Sequence, residues 1–250
     1  MQKSLTQNTL VKPLSTQNLL SLNMPGIDEL FPGFAAGDFA VLQGSSAVHS
    51  ILSLLSVRAQ LSSQLGGLRT GVVYVDGGNT FRLYEVSRIA QLHQLNPQQV
   101  LEHIYISRAF TAYQLTSIIL DKLEETVRKF NAKLAIVSDI AGLFLDKDIP
   151  DEEAQRVFSH VAACLSTFAE KNQLVVIATY PPSQPSRRNL YLHALTCGRA
   201  NTIMSIQRSR YGREVVLEKH PRFRLGKAEF PSADLTLTEF MEATSSGQDC

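Results

Sequence analysis

Six short apolar runs separated by stretches of helical periodicity restrict this chain to a narrow set of architectures. They are FAVLQ (39–43), GVVYVD (71–76), HIYIS (103–107), KLAIVSD (133–139), QLVVIAT (173–179) and TIMSIQR (202–208). Most are continuous Val/Ile/Leu runs without polar alternation, the pattern of strands buried on both faces. Between them, residues 48–65 carry Ile51, Leu54, Leu55, Leu61 and Leu65 at near-helical spacing. A second helix is predicted at 81–93, with Asn79 or Thr80 placed to cap its first turn. A third covers about 111–130, where Glu124 and Glu125 precede Arg128 and Lys129 by four positions. A fourth starts at Pro150, with Asp151, Glu152 and Glu153 suited to the positive end of its dipole. From about residue 202 the turn signals RYGRE and FRLGKAEF indicate antiparallel ribbons. The expectation is an α/β domain with a mostly parallel sheet flanked by helices and an antiparallel edge toward the C-terminus.

That domain is placed at 21–240, between a polar arm (1–20) and a frayed tail (241–250). Hydrophobic residues make up 44% of the 250, enough for a sizeable core, and no apolar run is long enough to span a membrane. The polar start MQKSLTQNTLVKPLSTQ lacks the apolar block of a signal peptide. Cys164, Cys197 and Cys250 lie far apart and the six histidines are scattered. Neither a disulfide framework nor a metal site is expected, and a reducing cytoplasm fits. Cys164 and His103 read as core residues, and the acidic run after Pro150 reads as helix capping rather than metal ligation.

A net charge of +1 hides an uneven distribution. Between Arg187 and Lys227 ten basic residues stand against Glu214 and Glu218, leaving +8. The remaining 14 basic and 21 acidic residues leave −7 for the rest of the chain. The basic set includes Arg187, Arg188, Arg199, Arg208, Arg210, Arg213, Arg222 and Arg224.

Five stretches in order carry a family resemblance: MPGIDELFPGFAAGDFAVLQG, VVYVDGGNTFRLYEVSRIA, LNPQQVLEHIYISRAFTAYQL, VRKFNAKLAIVSDIAGLF and VLEKHPRFRLGKAEF. Together they resemble the ATPase core of the RecA/RadA recombinases, and most of all the short RadB-type paralogues, over roughly residues 21–240. The resemblance implies a RecA-like P-loop core with a nucleotide site after the first strand. It also implies a DNA-binding segment after the fifth. The linker element through which such recombinases polymerise is not visible in residues 1–22.

The nucleotide motifs depart from the family pattern. A P-loop reads G-x-x-x-x-G-K-S/T, its amides cradling phosphate while lysine and hydroxyl engage phosphate and magnesium. Here GSSAVHSI begins with Gly44, but His49, Ser50 and Ile51 stand where Gly-Lys-Thr is expected. The aspartate of the Walker B strand falls on Ser138, with Asp139 one residue later and, on a strand, on the opposite face. The catalytic glutamate falls on Gly78, and an Asn-Gln pair falls on Thr179 and Tyr180. Asp76 matches a family aspartate but performs no chemistry alone. Losing the lysine and the hydroxyl removes two charge-assisted contacts, about 3–6 kcal/mol together. That weakens nucleotide binding by ~10²–10⁴-fold. The sequence therefore implies a pseudo-ATPase with no resident cofactor. Magnesium-dependent turnover abolished by Ser50→Ala would contradict it.

Arg187 and Arg188, beside Ser186 and Asn189, are placed to contact phosphates, and Tyr191 and His193 to stack on unpaired bases. If the turns around Arg208, Arg210, Arg213, Arg222 and Arg224 project to one side, they form a single stripe for single-stranded DNA. The sequence equally allows these arginines to be the solvated face of edge ribbons. Two functions follow: an ATP-independent DNA-binding accessory factor in recombination and repair, nucleoid-associated in the cytoplasm or nuclear in a eukaryote, or a scaffold docking on an active RecA/RadA-type recombinase or another paralogue without touching DNA.

Overall fold

The computed structural model describes residues 18–181, 185–210 and 212–230. Each apolar run becomes a strand because its buried backbone groups need partners. The strands are β1 (Phe39–Gly44), β2 (Val72–Asp76), β3 (Ile104–Arg108), β4 (Leu134–Ser138), β5 (Val175–Tyr180) and β6 (Thr202–Ser209), followed by β7 (Gly212–Lys219) and β8 (Gly226–Phe230). They form one sheet in the order β3-β2-β4-β5-β1-β6-β7-β8. All neighbours through β6 pair in parallel; β7 and β8 join antiparallel. The fold is the expected α/β architecture with an antiparallel C-terminal edge.

Strand alternation sorts two cores. Ala40, Leu42, Tyr74 and Ile136 face helices α2 (Val48–Arg58), α3 (Leu83–Leu92) and α4 (Pro97–Glu102), with the short α1 (Pro25–Leu30) on the same side. Phe39, Val41, Val75 and Val137 face α5 (Ala112–Ser117), α6 (Leu123–Lys129), α7 (Asp151–Asn172) and α8 (Arg187–Arg199). A π turn at Ile118–Lys122 joins α5 to α6, so the helix expected at 111–130 is present but not regular.

Other boundaries shift for local reasons. The helix expected to run to residue 65 stops at Arg58, a residue only 2% exposed. Its Nε donates to the Ser21 carbonyl (2.6 Å) and an Nη to that of Leu65 (2.6 Å), folding the following turn back over the helix end. Burial lowers the Arg58 pKa to about 10, against the pull of Asp28. Neither Asn79 nor Thr80 caps α3: Asp76 holds the Thr80 amide (2.9 Å), and the cap position is Arg82 with no side-chain bond. Pro150 is the cap residue of α7 rather than its first helical residue. The arm placed at 1–20 is corrected at its end, because Leu20 is fully buried and pairs with Phe34. Residues 1–17 of that arm and the tail at 241–250 lie outside the described residues.

The turn between β7 and β8 contains His220, stacked on Phe223 (4.2 Å) and set edge-on to Phe31 (5.6 Å). Its Nδ1 accepts from the amides of Arg222 (3.0 Å) and Phe223 (2.9 Å), which requires that nitrogen unprotonated. Burial first, then Arg222, lowers the His220 pKa to about 4; burial and Arg58 do the same for His93. A base depressed when folded takes its proton only on unfolding, so its stabilising contribution is present above about pH 6.5 and lost as pH falls toward about 4. The urea midpoint is therefore expected to fall between pH 7.5 and 5.0. His220→Asn, which keeps an acceptor but cannot titrate, should remove part of that drop; an unchanged midpoint in wild type would contradict the assignment.

Candidate functional site

Because β1 to β6 run in parallel, their C-terminal ends share one edge of the sheet, where ligands of open α/β sheets bind. Gly44, Asp76, Ser138 and Tyr180 end their strands there. Gly44 holds φ +93, and a Cβ on it would lie 2.3 Å from the carbonyl oxygen of Ile206 on β6. The glycine is thus required by the join between β1 and β6, independently of any ligand.

The loop that follows is closed on itself. Ala47 N bonds Ser45 Oγ (3.3 Å), and Val48 N and His49 N bond the carbonyls of Ser45 and Ser46 (both 3.2 Å). Ser50 N (3.1 Å) and Ile51 N (3.3 Å) both bond the Ala47 carbonyl. Five consecutive amides thus have internal acceptors, whereas a phosphate cradle needs them turned toward its ligand. Arg82 donates to Ser50 Oγ (3.3 Å) and lies 3.6 Å from Glu85, which also accepts from Ser53 (2.9 Å). His49 is half-buried; burial first, then Arg82, lowers its pKa, and Ile51 is buried. Around the loop stand an imidazole, an arginine already engaged and a carboxylate that would repel phosphate.

The carboxylates beside the loop are structural in their contacts. Asp76 is fully buried and accepts from Ser138 Oγ (2.8 Å), Thr80 N (2.9 Å) and Phe81 N (3.3 Å), with Arg108 Nε at 3.5 Å. Asp139 does not obey the strand alternation expected for it. β4 ends at Ser138, and Asp139 turns into the left-handed region (φ +49). Its amide donates to Thr179 Oγ1 (2.8 Å) and its carboxylate accepts from Gly142 N (3.0 Å). Burial raises its pKa, Asp76 adds to the rise and the Gly142 bond opposes it. A Cβ at Gly78 would lie 2.8 Å from the Asp139 Cβ, so no larger residue fits there without rearrangement.

The arginines separate into three groups. Arg208 and Arg213 stand directly opposite each other across the β6–β7 hairpin, with Arg210 in its turn, all exposed at the same edge as Gly44. Arg187 begins α8 on that edge. Among the described residues no carboxylate pairs with these four. Arg199, at the end of α8, and Arg222 and Arg224, in the β7–β8 turn, lie at the opposite edge, so the single stripe is not formed. The eight residues of β7 put roughly 25 Å between the groups. Arg222 there draws on Asp38.

Arg188 belongs to neither edge group. It pairs with Asp151 and donates to the carbonyls of Phe144 (3.2 Å), Asp146 (2.6 Å) and Ile149 (2.7 Å). Its guanidinium straps α8 to the start of α7 and is not available for phosphate. His193 is likewise engaged, bonding Gln43 Oε1 (2.6 Å) and packing on Tyr180. The segment after β5 that the resemblance marks as DNA-binding contains the helix α8, capped by Ser186 through the Asn189 amide (3.0 Å). That Ser-x-x-Asn start, with Leu192 and Thr196 four apart on the buried side, was the sequence signal for it. Residues 182–184 of the segment lie outside the described residues. Among the described residues no cluster of His, Cys, Asp or Glu is arranged to hold a metal ion, and no helix is long and apolar enough to cross a membrane.

A parallel sheet carrying a strand-to-helix loop at Gly44, closed by antiparallel strands, defines a RecA-like core. The Rad51 family model matches residues 24–185, and the chain belongs to the Rad51 family. It is 34% identical over 118 residues to the DNA repair and recombination protein RadA of Aeropyrum pernix. That match covers 47% of this chain and 34% of the relative, so the chain spans about a third of that protein's length.

Proposed function

We propose that this Rad51-family chain is a pseudo-ATPase that binds single-stranded DNA without nucleotide, as an accessory factor in homologous recombination and repair. One observation carries the reading: Arg208 and Arg213 face each other on an exposed hairpin, beside Arg210, with no carboxylate to neutralise them among the described residues. Like charges directly opposed on a sheet are destabilising, and an anionic partner relieves them. The self-bonded amides after Gly44 support independence from nucleotide. The name of the RadA relative supports the biological setting.

The test is a salt titration of affinity for a fluorescent oligonucleotide. Each phosphate contact contributes about 0.7 to the slope of log K against log salt on single strands. Replacing Arg208, Arg210 and Arg213 together by alanine should lower the slope by about 2. The pair Arg222→Ala and Arg224→Ala, on the far edge, should leave it unchanged. Equal losses from both sets, or no wild-type binding at low salt, would contradict the reading. The second result would favour docking on an active recombinase or a paralogue, for which Tyr84 (88% exposed) and Phe110 (70% exposed) offer apolar surface at the same edge.

A further inference from the structure

Beside Gly44, on the α8 side of the sheet, lies a cleft of about 380 Å³, within the range of small-molecule sites. Its floor is built from one face of the sheet: Gln43 near the end of β1, Ser205 and Gln207 of β6, and Glu218 of β7. Its wall is α8, through Asn189 and Leu190. These polar side chains share one face because Gln43 and Ser205 are register partners and Gln207 follows Ser205 by two. We propose that this cleft is a nucleobase site that selects a base bearing an exocyclic amine.

The hydrogen bonds inside the cleft fix its chemistry. His193 Nε2 lies 2.6 Å from Gln43 Oε1, and Gln43 Nε2 donates to Glu218 Oε2 (2.7 Å). That chain sets the Gln43 amide and leaves Glu218 Oε1 as a further acceptor on a residue that lines the cleft. Gln207 Nε2 donates to Ser205 Oγ (2.9 Å), which turns the Gln207 carbonyl into a second acceptor. The site is therefore rich in acceptors and carries a carboxylate. A phosphate is repelled by Glu218, whereas the amine of cytosine, adenine or guanine donates to it. Leu190 is 66% exposed at the rim, an apolar surface for the face of a ring.

The surroundings fit the same occupant. Arg187 begins the helix that forms the wall, while Arg208, the residue after Gln207, projects from the opposite face of β6 near the same end of that strand. An unstacked base seated in the cleft leaves its backbone phosphate outside, on the side where α8 begins with Arg187. The base has two possible sources, single-stranded DNA or a free nucleotide. The DNA source rests on the function proposed above; the base site does not.

Two measurements separate these. Affinities of oligo-dC and oligo-dU, which differ in amine against carbonyl at the same ring position, are compared at one salt concentration. The side-chain amides of Gln43 and Gln207 are followed by NMR on addition of CMP or UMP. Wild type should prefer oligo-dC by about tenfold. Glu218→Gln should reduce that preference to about twofold or less with the salt slope intact, and alanines at Arg208, Arg210 and Arg213 should weaken both oligonucleotides while preserving it. CMP alone should shift the two amides. Equal affinities for oligo-dC and oligo-dU, or a preference unchanged by Glu218→Gln, would overturn the base site. Amide shifts with CMP but no oligonucleotide binding would support the base site and sink the DNA reading; neither response would sink both.

Discussion

Replacing Gly44 with alanine is expected to destabilise the folded protein by roughly 3–5 kcal/mol, a large part of the stability of an ordinary domain. The backbone conformation at φ +93 strains any residue with a Cβ by about 1–3 kcal/mol. The added carbon must also displace the Ile206 carbonyl from 2.3 Å, which opens the junction of β1 with β6. Ser45 N bonds that same carbonyl (2.9 Å), so the entry to the loop is lost as well. The measurement is the urea midpoint of Gly44→Ala beside Ser46→Ala, an exposed neighbour whose change should be within about 0.5 kcal/mol. A Gly44→Ala protein as stable as wild type would mean that the glycine is not held by the sheet. In a P-loop the first glycine reads as a phosphate contact; here its demand comes from the fold.

Asp76→Ala should cost a similar amount, about 3–5 kcal/mol. The carboxylate is fully buried, and its removal orphans the amides of Thr80 and Phe81, the Ser138 hydroxyl and the charge of Arg108. Asp76→Asn keeps one carbonyl oxygen for Ser138 and Thr80 and should cost about half as much. Chemical denaturation of the two variants gives the comparison. A mild Asp76→Ala, below about 1 kcal/mol, would show that this network does not hold the loop before α3. Both substitutions should leave any nucleotide response at the wild-type baseline, since the residues are explained by the fold.

The strands were legible in the sequence because double burial writes itself as uninterrupted Val/Ile/Leu runs. Each of the six appears within two residues of its expected position. The edges of helices were harder to read. Arg58 stops α2 through carbonyls at Ser21 and Leu65, distant in sequence or set by the turn it helps to fold. Asp76 draws Thr80 away from a capping role for the same reason. The eight arginines formed one compositional block, yet a hairpin turns its ends to opposite edges, so Arg222 and Arg224 part company with Arg208 and Arg213. Arg188 looked like its neighbour Arg187 until α8 placed it over the carbonyls before α7. Spacing along a chain carries local geometry well. It does not carry which edge a turn reaches, nor which charges the interior has already engaged.

The loop GSSAVHSI occupies the position where a P-loop would hold phosphate. Its amides bond within the loop, and Arg82 beside it is already engaged by Ser50 and Glu85. The most direct test measures anisotropy of a single-stranded oligonucleotide with and without ATP and magnesium, with phosphate release followed in the same samples. Superimposed binding curves with no release above a protein-free control are the result expected. ATP-dependent tightening of DNA binding, or magnesium-dependent release abolished by Ser50→Ala, would contradict it.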